Sequence, residues 1–193
     1  MFRPTGCLAL FLLSTALACA GETVVAILGG QPVFEDEYRF HEERVKTNVA
    51  SRIMRLHGVD MSPDFWTTEV DGVTPGETLK NEALRSIARF RVVQTLAVEQ
   101  GLLEAVMSYR DMITAFHEEN LRRKEMKEAG EIFYGPVQFR KDVYISVRLE
   151  QLTRALQKAA LSDEVILEED AVKTQLEEII RKRIDSLIDA NTP

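Results

Sequence analysis

The sequence predicts a mainly α protein, a bundle or cradle of about five helices with a short N-terminal β-hairpin or strand. Three observations predict it. Glycine and proline supply only 10 and 6 of the 193 residues, so helix breakers are sparse. Apolar residues recur at spacings of three and four over most of the length, the period of a helix with one buried face. A single short apolar run beside a glycine pair, residues 24–34, carries the one clear β pattern. Hydrophobic residues at 45% and charged residues at 28% fit an ordered chain with a core to bury.

The first twenty residues read as a signal peptide, leaving residues 21–193 as a single helical domain. One arginine, Arg3, precedes the apolar block "CLALFLLSTALA", which has the length of a signal core and is short for a membrane span. Two processing outcomes are readable: cleavage after the Ala18-Cys19-Ala20 pattern, so that the mature chain begins at Gly21, or lipidation at Cys19. Cys7 and Cys19 are the two cysteines, both within this leader. The mature domain therefore has no disulfide, thiol nucleophile or thiolate metal site. The formal charge of −7 becomes −8 without Arg3. So acidic a chain lacks the basic footprint of a nucleic-acid binder, and a membrane becomes a partner only through lipid at Cys19.

The elements follow in order. In "VVAILGGQPVF", Gly29-Gly30 supplies the positive φ of a two-residue turn, and Pro32 restricts the second arm to an edge or very short strand. "FEDEYRFHEERVKTNVASRIMRLHG" reads as helix, with acids in its first turn, Val45, Val49, Ile53 and Leu56 on one face, and Gly58 as its stop. Asp71-Gly72 reads as a turn. Thr74-Pro75-Gly76-Glu77 combines an N-cap, a proline at the first helical position and a capping box, which contributes on the order of 1 kcal/mol. The helix it opens places Leu79, Ala83, Ile87, Phe90, Gln94 and Ala97 on one face, widened by Leu84, Val92, Val93 and Leu96. So broad an apolar face predicts a central helix.

Ser108 and Asp111 predict a cap for "YRDMITAFHEENLRRKEMKEAG", which begins apolar and ends as a charged, solvated helix. The aromatic turn "EIFYGPVQF" leads into a further long helix carrying Phe139, Ile145, Leu149, Leu152, Leu156 and Ala160. In "LSDEVILEED", Ser162 caps a final helix directly, or Val165 to Leu167 first forms a strand against the hairpin. Residues 163–193 return as a C-terminal helix with Val172, Leu176, Ile179, Ile180, Ile184, Leu187 and Ile188 at helical spacing.

No motif selects a chemistry. His41, His57 and His117 lie on separate segments, with no H-E-x-x-H, phosphate loop or nucleophile elbow. The expectation for a histidine on so charged a helix is solvation. Carboxylates are abundant, but nothing in their spacing selects a catalytic pair. The expectation is a non-enzyme with no cofactor and no metal.

The order "VAILGGQPV", "FEDEYRF", "DFW…GVTPGETLKNEALRSIARFRVVQTLAVEQGL" and "EIFYGPVQFRKDVY" resembles the N-terminal chaperone region of SurA/PrsA-type exported foldases, over roughly residues 24–160. The resemblance implies a helical cradle that holds unfolded or extended polypeptide outside the cytoplasm, in the periplasm or cell envelope. Many members also carry a parvulin-type prolyl isomerase domain. Between Phe139 and Ser162 this chain has helix alone, so no catalytic residue carries over. The expected mechanism is an apolar groove that takes extended clients. Phe65, Trp66, Phe133, Tyr134 and Phe139 are its candidates, because aromatics beside turns can line such a groove. The competing role for each is to plug a helix junction. Trp66, just before the capped corner, reads as a brace worth about 2–3 kcal/mol of buried area. A different reading of the same helices is an assembly component that binds one fixed envelope partner or itself, and a second alternative is a prolyl isomerase-related enzyme whose site no motif marks.

Overall fold

A computed structural model describes residues 23–162 and 169–190. Strands β1 (Val24–Leu28) and β2 (Gln31–Phe34) form an antiparallel hairpin whose closing pair is Leu28 and Gln31. The two turn residues, Gly29 and Gly30, have φ of 59° and 76°. These are values of the primed turn that matches strand twist, and glycine reaches them without steric cost. Five helices follow: α1 (Glu35–His57), α2 (Pro75–Glu99), α3 (Tyr109–Glu128), α4 (Lys141–Ser162) and α5 (Glu169–Asp189). The fold is mainly α with a two-stranded sheet at its start, as the sequence predicts.

Both capping boxes form. Thr74 Oγ1 accepts the Glu77 amide at 3.1 Å while Glu77 Oε2 accepts the Thr74 amide at 2.9 Å. Ser108 and Asp111 make the same exchange at 3.1 and 3.2 Å. Each satisfies amides that have no partner inside their own helix.

Helix α2 is central and packs against α1, α4 and α5. Its wide apolar face feeds three clusters. One joins Leu28 and Val33 of the hairpin to Ile87 and Val93 of α2, Leu156 of α4 and Ile180 of α5. A second gathers Phe40, Phe90, Met112, Tyr144 and Ile145. The third closes the α1–α2 corner with Val49, Ile53, Phe65 and Leu79. Helix α3 differs from the rest, since Met112 is its one buried residue.

Several expectations are corrected. Phe139 lies before α4, because both its backbone amide and its carbonyl are held by the side chain of Asn120, at 2.7 and 3.1 Å. Leu56 and Ile179 are exposed at the edges of their helical faces. Ser162 is the last described residue of α4, and the segment in which it is expected to cap a final helix lies outside the described residues. The strand considered at residues 165–167, the signal segment and Cys19 lie outside the described residues.

Candidate functional site

The hairpin is tied to the bundle by one cation. Arg91 of α2 donates to the Pro32 carbonyl at 2.8 Å and to Glu37 Oε2 at 2.9 Å, with longer contacts to the Gln31 and Leu28 carbonyls. Glu37 and Arg91 are both largely removed from solvent. Burial pushes the Glu37 carboxyl above its ordinary range, and the Arg91 charge opposes that shift. The pair fixes the approach of β2 to α1 and α2.

Beside this clamp a groove of about 730 Å³ opens between β2, α1, α2 and the α2–α3 connection. Phe34, Phe90, Val106, Met107, Tyr109 and Leu187 supply its apolar lining, and Asp36, Glu37 and Arg91 its polar end. Gln94 shapes the far wall. It is buried on α2, accepts the Met107 amide at 2.9 Å and donates to the Met107 carbonyl at 3.4 Å. The Tyr109 hydroxyl is pushed up to about 12 by burial and by the Asp36 and Glu37 charges, so it stays protonated, and it accepts from Lys141 Nζ at 3.3 Å. An apolar cleft with a few convergent polar groups is the usual form of a binding site. A larger cleft of about 1100 Å³ between α1, α2 and α5 is lined mainly by charged side chains. There Arg89 is held bidentate by Glu177 at 2.8 and 2.9 Å, and Arg85 by Asp185 at 2.8 Å. Those ion pairs dock α5 onto α2.

The five aromatics singled out by sequence fall in two separate places and line neither cleft. Phe65 is buried in the α1–α2 corner, with the half-buried Trp66 edge-on at 5.0 Å. The Gly76 amide donates to the Trp66 carbonyl at 2.9 Å. A Cβ at residue 76 would stand 2.7 Å from that oxygen, so glycine is needed there. Phe133, Tyr134 and Phe139 belong to the α3–α4 connection. Arg123 donates to the Tyr134 and Pro136 carbonyls at 3.0 Å each. Its guanidinium stacks 4.5 Å from the Phe139 ring and 5.6 Å from that of Phe133. Glu119 anchors Arg123 at 2.7 Å, and the arginines around that carboxyl, Arg122 first, hold it down to about 2. The clamp leaves Ile132 and Tyr134 at 89% and 90% exposure. Two large apolar side chains are thus displayed on a connection whose carbonyls Arg123 holds.

The charged surroundings of His41 in the sequence predict a solvated side chain; the structure buries it. Its Nδ1 lies 2.8 Å from Ser86 Oγ, between the rings of Phe40 and Phe90. Burial, with the Arg44 and Arg91 charges adding to it, pushes the imidazole down to about 3. His57 instead meets Asp71 at 3.0 Å near the surface. Among the described residues no group of three or more His, Cys, Asp or Glu side chains is placed to hold a metal ion. No described helix is long and apolar enough to cross a membrane. The groove residues Val106 and Met107 come from a connection without periodicity, and Tyr109 is the first residue of α3, so no periodic pattern marks them. The available signal was the Ser108 cap, which fixes where that connection ends.

No family model matches the chain, and no solved structure matches it. Among curated proteins it is similar to one named as a chaperone for lacto-N-biosidase, from Bifidobacterium longum subsp. longum, at 28% identity over 124 residues. The match covers 64% of this chain and 44% of that protein, so the chain spans less than half the length of the relative. The distant likeness is thus to a protein named for a chaperone role.

Proposed function

We propose that this chain is an exported, non-catalytic chaperone module that binds unfolded or extended polypeptide. The observation that carries the reading is the open apolar groove between β2 and the α2–α3 connection. Extended polypeptide offers alternating apolar side chains and unpaired backbone groups, and a groove with apolar walls and one polar end suits both. The likeness to a protein named as a chaperone supports the same reading. Export rests on the leader at residues 1–20, and lipid at Cys19 is the route by which the chain would be anchored.

The test is suppression of aggregation of a chemically unfolded client at near-stoichiometric ratio. Val106 is half-exposed in the groove and belongs to no helix, so Val106→Asp places a charge there at little cost to folding. The wild-type chain should suppress aggregation, and Val106→Asp should lose most of that effect with its melting temperature unchanged. A wild-type chain that leaves aggregation untouched would overturn the reading.

The relative's name favours a second form of the same idea, because that protein is named as chaperone for one enzyme. In that form the module serves a single envelope partner. Crosslinking pull-down from the cell envelope separates the two: many unrelated unfolded proteins support the general holdase, and one folded or folding partner supports the dedicated form.

A further inference from the structure

The two outer edges of the hairpin are not equivalent among the described residues. In the register, Ile27 faces Pro32. Proline has no amide hydrogen, so this cannot be the pair that exchanges two hydrogen bonds; it is the alternate, non-bonded pair. The Pro32 carbonyl therefore points away from β1, and Arg91 takes it at 2.8 Å. With no amide to donate and its carbonyl already bound, the outer edge of β2 is closed. By the same alternation the Ile27 amide and carbonyl point away from β2, and neither has a partner among the described residues. The side chains repeat the asymmetry. On β2 Val33 is buried and Pro32 and Phe34 are half-buried, whereas on β1, a strand free of charge, Val25 and Ile27 stand 38% and 47% exposed.

From this geometry we infer that β1 is a docking edge for an extended, uncharged, aliphatic polypeptide segment, which adds to the hairpin as a third strand. The inference deepens the chaperone reading and rests on it. A second folded copy is not the occupant. A five-residue edge is about 17 Å long, and two such edges abutting bury far less than the roughly 1,200 Å² of a stable interface. An unfolded segment has its own unpaired amides and carbonyls, which this edge satisfies irrespective of sequence. The absence of charge on β1 sets the preference for uncharged, β-branched residues.

The experiment uses the chain with a capped ten-residue peptide of alternating valine and threonine, lysine at each end. A second peptide carries N-methyl groups on its four central amides, which disables both of its edges. Binding of the first peptide should slow hydrogen exchange at the Ile27 amide, and the N-methylated peptide should bind at least tenfold more weakly. Ile27→Pro removes an outward amide without touching the β1–β2 bonds, and should weaken the parent peptide at least tenfold at unchanged melting temperature. Should that variant fold poorly, the N-methylated peptide on the wild-type chain decides alone. Equal binding of both peptides, no binding of either, or an Ile27 amide that exchanges freely in the complex would overturn the inference. Aggregation suppression run in parallel separates the two levels. If suppression persists while the Ile27 amide stays unprotected, the chaperone reading survives and the edge does not; if suppression is absent, both fall.

Discussion

Two corners of this molecule carry aromatic residues beside a turn, and they treat them in opposite ways. In the α1–α2 corner, Phe65 is buried and Trp66 half-buried against Val49, Ile53 and Leu79. In the α3–α4 connection, Phe133 and Phe139 lie against a guanidinium, and Ile132 and Tyr134 face solvent. The first corner is ordered by removing apolar area from water. The second is ordered by Arg123 and Asn120, whose side chains hold backbone carbonyls and amides that no helix satisfies. Polar side chains can thus fix a loop while leaving its apolar side chains on display. Hydrophobic packing alone could not do so, since what it orders it also covers.

The sharpest way to break the comparison is Phe65→Ala. Loss of a buried phenyl ring should cost about 3–5 kcal/mol, a fall in melting temperature of roughly 10 °C for a domain of this size. A smaller loss would mean that the corner collapses readily around the cavity and that its capping box does most of the ordering.

Acid should weaken the α1–α2 side next. His41 is neutral when folded, with its imidazole pushed down to about 3, and it titrates near 6.5 once unfolded. Below pH 6.5 the unfolded chain binds the extra proton, so stability falls as pH falls from about 6.5 towards 3. From pH 7.5 to 5 this group alone should remove about 2 kcal/mol. Urea midpoints at the two pH values measure it, and His41→Gln should flatten the difference. An unchanged slope in that variant would show that the acid sensitivity lies elsewhere.

Arg123→Ala should have a smaller and local effect, about 1–2 kcal/mol from the lost carbonyl bonds and ring stacking. Hydrogen exchange and limited proteolysis should accelerate across residues 131–140 while the α2 core keeps its protection. Tyr134→Ser should be smallest, within about 0.5 kcal/mol, because the ring buries almost nothing in the free chain. A marked loss of stability from Tyr134→Ser would show that the display is a packed contact after all.

The fold was legible where its causes are local. Thr74 to Glu77 and Ser108 to Asp111 announce their helices because capping is a contract between residues three apart. The wide apolar face of α2 announces its central place. What depended on distant partners was hidden. Phe139 fits the helical spacing of α4, and only Asn120, on another helix, holds it outside. His41 sits among charges in the sequence, and its burial depends on Ser86 across the α1–α2 interface. Gln94 reads as one more residue on an apolar face, yet it fixes the backbone of Met107 and with it one wall of the groove. The groove takes its lining from four stretches of chain, within residues 28–37, 90–95 and 106–110 and at Leu187. No window of sequence contains it, and Phe65, Trp66, Phe133, Tyr134 and Phe139 lie elsewhere.

Site-specific photo-crosslinking to an unfolded client tests the central claim most directly, with the reactive side chain placed in turn at positions 106, 134 and 66. The account predicts strong adducts from position 106 in the groove, adducts from the displayed position 134, and none above background from the packed corner at 66. Adducts from 66 with none from 106 would contradict it, and would move the client to the corner where Trp66 is half-buried.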